Sequence, residues 1–228
     1  MIIVSLRSMI GKYPARRRVL RPLYRGRVDL LWFLRARPVE FHTTIGSLLM
    51  HPEGHIARVV LEDNFEHEEC SAIESLLKPG MKIVNVGANA GLYALLCGKI
   101  VGSEGEVHAF EPVSGNFQRL MRNISLNGLN NIYAEKCAVS DKPRNLAMYL
   151  DPSHPHLDGH YSSVAESRNA ESFFETVPAV ALDDYWYQHT GGLNQPVDMM
   201  IIDVEGSELD VLKGAVRLIK RHRSLRLW

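Results

Sequence analysis

Long apolar runs are missing from this 228-residue chain. The longest is five residues or so, Leu30 to Leu34, against the roughly 20 that a helix needs to cross a bilayer. No hydrophobic stretch with a small-residue cleavage site stands at the start, so neither an integral membrane protein nor a Sec export substrate is expected. Cysteine is scarce as well. Cys70, Cys97 and Cys137 are odd in number, far apart and without CxxC spacing. That excludes a disulfide framework and a cysteine zinc site, and makes the reducing cytoplasm the default location. Repeats and low-complexity tracts are lacking. With 46% hydrophobic and 23% charged residues, disorder as the main state is excluded, and one compact domain, or a domain plus an arm, is expected.

Acid is nearly absent from residues 1–37. Ten basic residues (Arg7, Lys12, Arg16, Arg17, Arg18, Arg21, Arg25, Arg27, Arg35 and Arg37) face Asp29 alone, a net +9. Of the 26 basic and 26 acidic residues in the whole chain, residues 38–228 therefore hold 16 and 25, a net −9. The chain reads as a basic arm over residues 1–37 joined to an acidic domain over residues 38–228. In the arm, Leu23, Val28 and the Leu30 to Leu34 stripe interleave with arginines as a short amphipathic helix. Such a helix can pack on the acidic domain with its arginine heads in water. It can equally anchor the protein peripherally to an anionic membrane surface, where each cation adds about 1 kcal/mol. Nucleic acid is not expected as a partner, because the domain behind the arm is acidic.

Beyond residue 38 the hydrophobic period switches repeatedly between helix and strand. Cys70, Ile73, Leu76 and Leu77 mark a helix that stops at Lys78-Pro79-Gly80. Lys82 to Val86 is a short apolar strand running into Gly87-Ala88-Asn89-Ala90-Gly91. Leu92, Leu95, Leu96 and Ile100 then predict a helix ending at Gly102. Glu106 to Phe110 reads as a second strand, ending in Glu111-Pro112. Phe117, Leu120, Met121 and Ile124 mark the next helix, closed by Asn127-Gly128, and residues 132–139 read as another strand. The segment from Asp151 to Glu175, rich in His, Ser, Asp and Pro, is long for a connection and therefore a candidate functional loop. Val197 to Asp203 is a further buried strand. Ser207 offers an N-cap to a last helix with Leu209, Leu212, Val216 and Ile219 on its face. This alternation predicts an α/β fold, an open, mainly parallel sheet with helices on both faces. Ligands of such sheets sit at the carboxyl ends of the strands, here residues 85–91, Glu111, residues 138–141 and residues 203–205.

Gly87 and Gly91 allow a sharp turn whose amide N–H groups can approach a ligand. Glu111 follows Gly91 at about the 20-residue offset at which an acid binds a ribose diol. The spacing is G-x-x-x-G rather than the G-x-G-x-x-G/A of pyrophosphate sites, which disfavours a nicotinamide oxidoreductase and suits S-adenosylmethionine. From about Val39 onward the chain resembles the FkbM-type S-adenosylmethionine-dependent methyltransferases. The matching blocks are Lys78-Pro79-Gly80, Val84 to Tyr93, Phe110-Glu111-Pro112, residues 123–129, Ala138 to Asp141, Ser162-Ser163, Leu182-Asp183-Asp184, Ile202 to Glu208 and Leu212 to Ala215.

The resemblance implies a class I, Rossmann-like methyltransferase fold and methyl transfer to a hydroxyl of a small molecule such as a sugar or natural product, or of a glycan. It implies that Asn85, Gly87, Ala88, Asn89 and Gly91 hold the methionine end, Glu111 the ribose hydroxyls, and Val139, Ser140 and Asp141 the adenine edge. Asp203 and Glu205 would border the methyl donor and the acceptor. The family's first-strand aspartate is Asn85 here, which keeps an acceptor and loses a charge. Residues 222–228 can begin a fifth strand, but the hairpin that usually completes the sheet does not follow, so the C-terminal strands are expected to be missing or the edge covered by another copy of the chain. A non-catalytic cofactor-binding module is the alternative reading.

Methylation of an alcohol needs alignment and a base. Asp203, Glu205 and the loop histidines, His160 among them with His154 and His156, are the candidates. His156 and His160 have metal-ligand spacing only on a helix, which Asp158-Gly159 opposes, so no metal requirement is expected.

Overall fold

The computed structural model describes residues 39–43, 45–50, 67–150, 161–162, 173–204, 206–222 and 225–228. The basic arm, the three loop histidines and Glu205 lie outside the described residues, and with them the readings made on those positions.

A hairpin of β1 (Val39–His42) and β2 (Ser47–Met50) is followed by α1 (His67–Leu76), β3 (Lys82–Val86), α2 (Leu92–Val101), β4 (Glu106–Phe110), α3 (Ser114–Leu126) and β5 (Ile132–Glu135). Then come β6 (Ala138–Val139), β7 (Arg144–Leu150), β8 (Tyr161–Ser162), β9 (Phe173–Val180), α4 (Leu182–Thr190) and β10 (Met199–Ile202). Two short helices, α5 (Glu208–Gly214) and α6 (Val216–Arg221), precede β11 (Arg226–Leu227). Among the described residues no helix is long and apolar enough to cross a membrane.

Five strands form a wholly parallel sheet in the order β11-β10-β3-β4-β5. Alternation along the strands divides the core in two. Ile83, Val107, Ala109, Met199 and Ile201 face α1, α2 and α3, where Ile73, Leu95, Leu120 and Ile124 are buried. Val84, Val86, Phe110 and Met200 face Leu182 and Trp186 of α4, with Val211, Ala215 and Leu218. The expected α/β class with helices on both faces is therefore what the chain adopts, and β11 supplies the fifth strand. The three cysteines are buried as thiols, and burial pushes Cys97 and Cys137 up to about 12.

Three readings need correction. The strand expected over residues 132–139 is two strands. β5 is the last strand on its side of the main sheet, and beyond Glu135 the chain leaves it for β6, which pairs with β9 in a second, four-stranded sheet ordered β6-β9-β7-β8. β7 holds one residue of strong strand preference, Tyr149, and so carries no strand signal in the sequence, whereas Phe173 to Val180 is rich in strand formers. On α3, Met121 is 46% exposed, because Asn116, Arg119 and Asn123 share the buried face with Leu120 and Ile124. The last helix breaks at Ala215, and Leu209 and Val216 are 64% and 39% exposed. Its buried face is Val211, Gly214, Ala215 and Leu218. Gly214 lies so close to β6's end that a Cβ there would fall 2.0 Å from the Ser140 carbonyl oxygen, so the smallest residues mark the contact and hydropathy misses it.

Asp183 explains how the broken helix restarts. Its Oδ2 accepts from the Arg217 N–H at 2.8 Å and its Oδ1 from the Leu218 N–H at 2.9 Å, so a buried carboxylate on α4 caps the first turn of α6. Asp183→Ala should lower stability by about 1–3 kcal/mol, the range for a lost cap and an unpaired buried donor, with Asp183→Asn losing less. Urea unfolding of the three forms measures it, and identical midpoints would refute the capping role.

Candidate functional site

β3 lies between β10 and β4, and the chain runs from β3 outward through β4 and β5 before crossing back to β10. Strand order thus reverses between β3 and β10, the place where the loops at the carboxyl ends diverge into a crevice. The loop after β3 is the glycine turn, and Asp203 follows β10. The Asp203 N–H donates to the Val86 carbonyl at 3.0 Å, which brings the two loops together. Gly87 has φ +81, and a Cβ there would lie 1.9 Å from the Asp203 carbonyl oxygen, so this contact admits glycine alone.

The turn is held from three sides. Gly87 and Ala88 donate their N–H groups to the Phe110 carbonyl at 3.0 and 2.9 Å, and Gly91 donates to Ala88 at 2.8 Å. Asn123 of α3 donates to the Ala90 carbonyl at 2.7 Å. Asn89 sits at φ +48, a left-handed conformation that asparagine tolerates, and its N–H donates to Glu111 Oε2 at 2.8 Å.

Glu111 is buried and tied to the protein's own donors. Besides Asn89, its Oε1 accepts from the Val113 N–H at 2.9 Å and the Asn116 side-chain amide at 3.3 Å, while Arg119 donates to Asn116 Oδ1 behind it. The carboxylate is therefore a strap between the glycine turn and the β4–α3 loop, and Oε2, which accepts only from Asn89, keeps lone-pair capacity for a ligand hydroxyl. Burial pushes its pKa up to about 7, against the opposing pull of the Val113, Asn89 and Asn116 hydrogen bonds and the Arg119 charge. Asn116 and Arg119 belong to no motif of the sequence, and Asn123 stands in it only as the start of the block over residues 123–129. Their signal is polarity at i, i+3 and i+7 on the apolar side of α3.

Asn85 is fully buried at the end of β3, level with Ala109 and Ile201 on the neighbouring strands. Neither its Oδ1 nor its Nδ2 has a hydrogen-bond partner among the described residues, and the same holds for Asn89 Oδ1. Buried polar atoms are nearly always paired, so three orphans beside one turn mark a place for polar ligand groups. An ammonium would satisfy the two oxygens and a carboxylate the Asn85 amide, the two charges that an amino acid end carries.

The remaining expected residues separate. Val139 packs into the core and Ser140 N–H pairs with Val180 at 2.8 Å. Ser140 Oγ accepts from Arg144 at 2.8 Å, and Asp141 pairs with Arg144 at 3.2 Å, so both are joined to a surface network that includes Asp210 and Lys213. Asp203 is exposed at the end of β10.

Residues 85–224 match the methyltransferase FkbM domain family. Among curated relatives, "Methyltransferase sdnD" of Sordaria araneosa is 30% identical, over 58% of this chain and 59% of that one. "Methyltransferase 1" of Beauveria bassiana (strain ARSEF 2860) is 26% identical, over 58% and 57%. The chain thus spans under three-fifths of the length of these relatives. Among solved structures, an rRNA methylase from Streptococcus thermophilus is 10% identical over 68% of this chain and 63% of that one, with a TM-score of 0.40.

Proposed function

We propose, from the premise that this chain belongs to the FkbM methyltransferase family, that it methylates a hydroxyl oxygen of a sugar, glycan or natural product. S-adenosylmethionine is the cofactor, and the orphaned polar atoms of Asn85 and Asn89 are the observation that carries its placement. When bound, the cofactor supplies a methyl group on a sulfonium. In this reading Asn85, Asn89 and the turn over residues 87–91 hold the amino acid end, and Glu111 accepts the ribose hydroxyls. Val139, Ser140 and Asp141 remain the proposed adenine edge. Asp203 lies against Gly87 and is the described candidate for the base that takes the acceptor's proton; Glu205 and His160 are the other two.

Calorimetry with S-adenosylhomocysteine, followed by a product assay across hydroxylated sugars, glycans and natural products, tests the reading. Binding and turnover are expected. Heat with NADH and none with S-adenosylhomocysteine would overturn it. Tight binding without turnover across the panel would favour the non-catalytic module, which the loss of the family's aspartate at Asn85 makes the second reading.

Asn85→Asp provides a sharper test of the ammonium's partner. A charge-assisted hydrogen bond exceeds a neutral one by about 1 kcal/mol, so the variant should bind S-adenosylmethionine roughly fivefold more tightly. A fully buried carboxyl has its pKa raised, so the cofactor-free variant should lose stability as pH rises through that value. Unchanged affinity would move the ammonium's partner to Asp203.

A further inference from the structure

The amino-terminal half of β4 carries a group of ligand atoms away from the cofactor turn, with His108 about 10 Å and Glu106 about 16 Å along the strand from Glu111. Glu106 and His108 lie on β4, His189 lies in the last turn of α4, and one ligand-capable atom from each falls within 4.8 Å of the other two. His108 is fully buried under α4, stacked on Tyr133 with ring centroids 5.1 Å apart and edge-on to Trp186 and His189 at 4.8 and 4.6 Å.

The Tyr185 hydroxyl lies 3.0 Å from His108 Nδ1 and 3.3 Å from Glu135 Oε1, and His108 Nε2 lies 3.3 Å from Glu106 Oε2. In the tautomer protonated on Nδ1, whose proton Tyr185 accepts while its own goes to Glu135, the Nε2 lone pair faces the Glu106 oxygen, a pairing that a cation bridges. Zinc bonds of about 2.0–2.1 Å in a tetrahedron place two ligand atoms about 3.3–3.4 Å apart, the separation already present. Lys82 holds the other carboxylate oxygen, Oε1, at 2.7 Å, so Oε2 remains for a single bond. Tyr185 and Glu135 stand where the outer partners of a metal-bound imidazole stand.

We propose that Glu106, His108 and His189 bind a zinc-class divalent cation through one oxygen and two nitrogens, with water in the fourth position. The exposed His189 closes the site from the helix side. The cation pins the carboxyl end of α4 to the sheet, and it has no part in methyl transfer.

Chelator-stripped full-length protein titrated with Zn²⁺ in a calorimeter, and with Co²⁺ by visible absorption, provides the test. Expected are tetrahedral Co²⁺ bands without thiolate charge transfer and a rise in melting temperature with Zn²⁺. His189→Ala and Glu106→Gln, both at positions outside the closed core, should each weaken this Zn²⁺ site at least tenfold and abolish the rise. The combined variant His154→Ala, His156→Ala and His160→Ala should keep it. Absence of Zn²⁺ binding in the parent protein would overturn the proposal, as would binding that survives His189→Ala and disappears in the loop variant.

Discussion

Gly87→Ala should abolish S-adenosylhomocysteine binding and lower stability by about 2–5 kcal/mol. A residue with a Cβ at φ +81 loses about 1–2 kcal/mol to backbone strain. The larger contribution is collision: the new carbon would lie 1.9 Å from the Asp203 carbonyl oxygen and 2.9 Å from its carbonyl carbon. Both are backbone atoms held by the Asp203 N–H to Val86 hydrogen bond, so neither can yield without parting β3 from β10 at the crevice. Overpacking of this kind adds about 1–3 kcal/mol. Gly80→Ala is the internal control, since Gly80 has a similar φ of +83 and nothing within 4 Å of the added Cβ. It should lose the strain alone and bind cofactor normally. Chemical unfolding and calorimetry on both variants check this, and equal stability of the two would refute the close-approach argument.

Removing the Glu111 carboxylate should have an effect of the same order. Glu111→Ala leaves the N–H groups of Asn89 and Val113 without their acceptor, at about 1–3 kcal/mol for each buried donor, and frees the glycine turn from the β4–α3 loop. Cofactor affinity should fall with it. Titration separates the carboxylate's charge from its geometry. Because burial raises the Glu111 pKa from about 4.5 to about 7, the cofactor-free protein retains a proton there that the unfolded chain releases. The stability linked to that proton is fully present below about pH 4.5 and is lost as pH rises through about 7. Ribose hydroxyls donate to the ionised form, so affinity for S-adenosylhomocysteine should move the other way, rising as pH passes about 7. Glu111→Gln should flatten both profiles. A parent protein with pH-independent affinity between about pH 6 and 8 would remove Glu111 from the ribose site.

The separate Asp183 cap shows how a motif can be legible while its work is not. Leu182-Asp183-Asp184 was visible as text, but the carboxylate's partners, Arg217 and Leu218, are more than 30 residues away, and no local pattern couples them. The reverse holds for α2 and β4, whose bounds follow from local features alone: an apolar stripe ended by Gly102, and a short run from Glu106 to Phe110 closed by Glu111-Pro112.

From the residues alone came the alternation of strand and helix, the parallel sheet with two covered faces, the glycine turn paired with an acid at ribose distance, and the family resemblance. These are short-range properties, written in side-chain period, glycine's freedom at positive φ and spacing along the chain. Folding decided the rest. It split residues 132–139 between two sheets, because a strand's partner is chosen by what lies beside it in space. It turned the last helix so that Gly214 meets Ser140, a contact set by a close backbone approach rather than by hydrophobicity. It also left Asn85 buried without a partner and brought His189 to His108 and Glu106, because burial and long-range pairing exist only once distant segments are packed together.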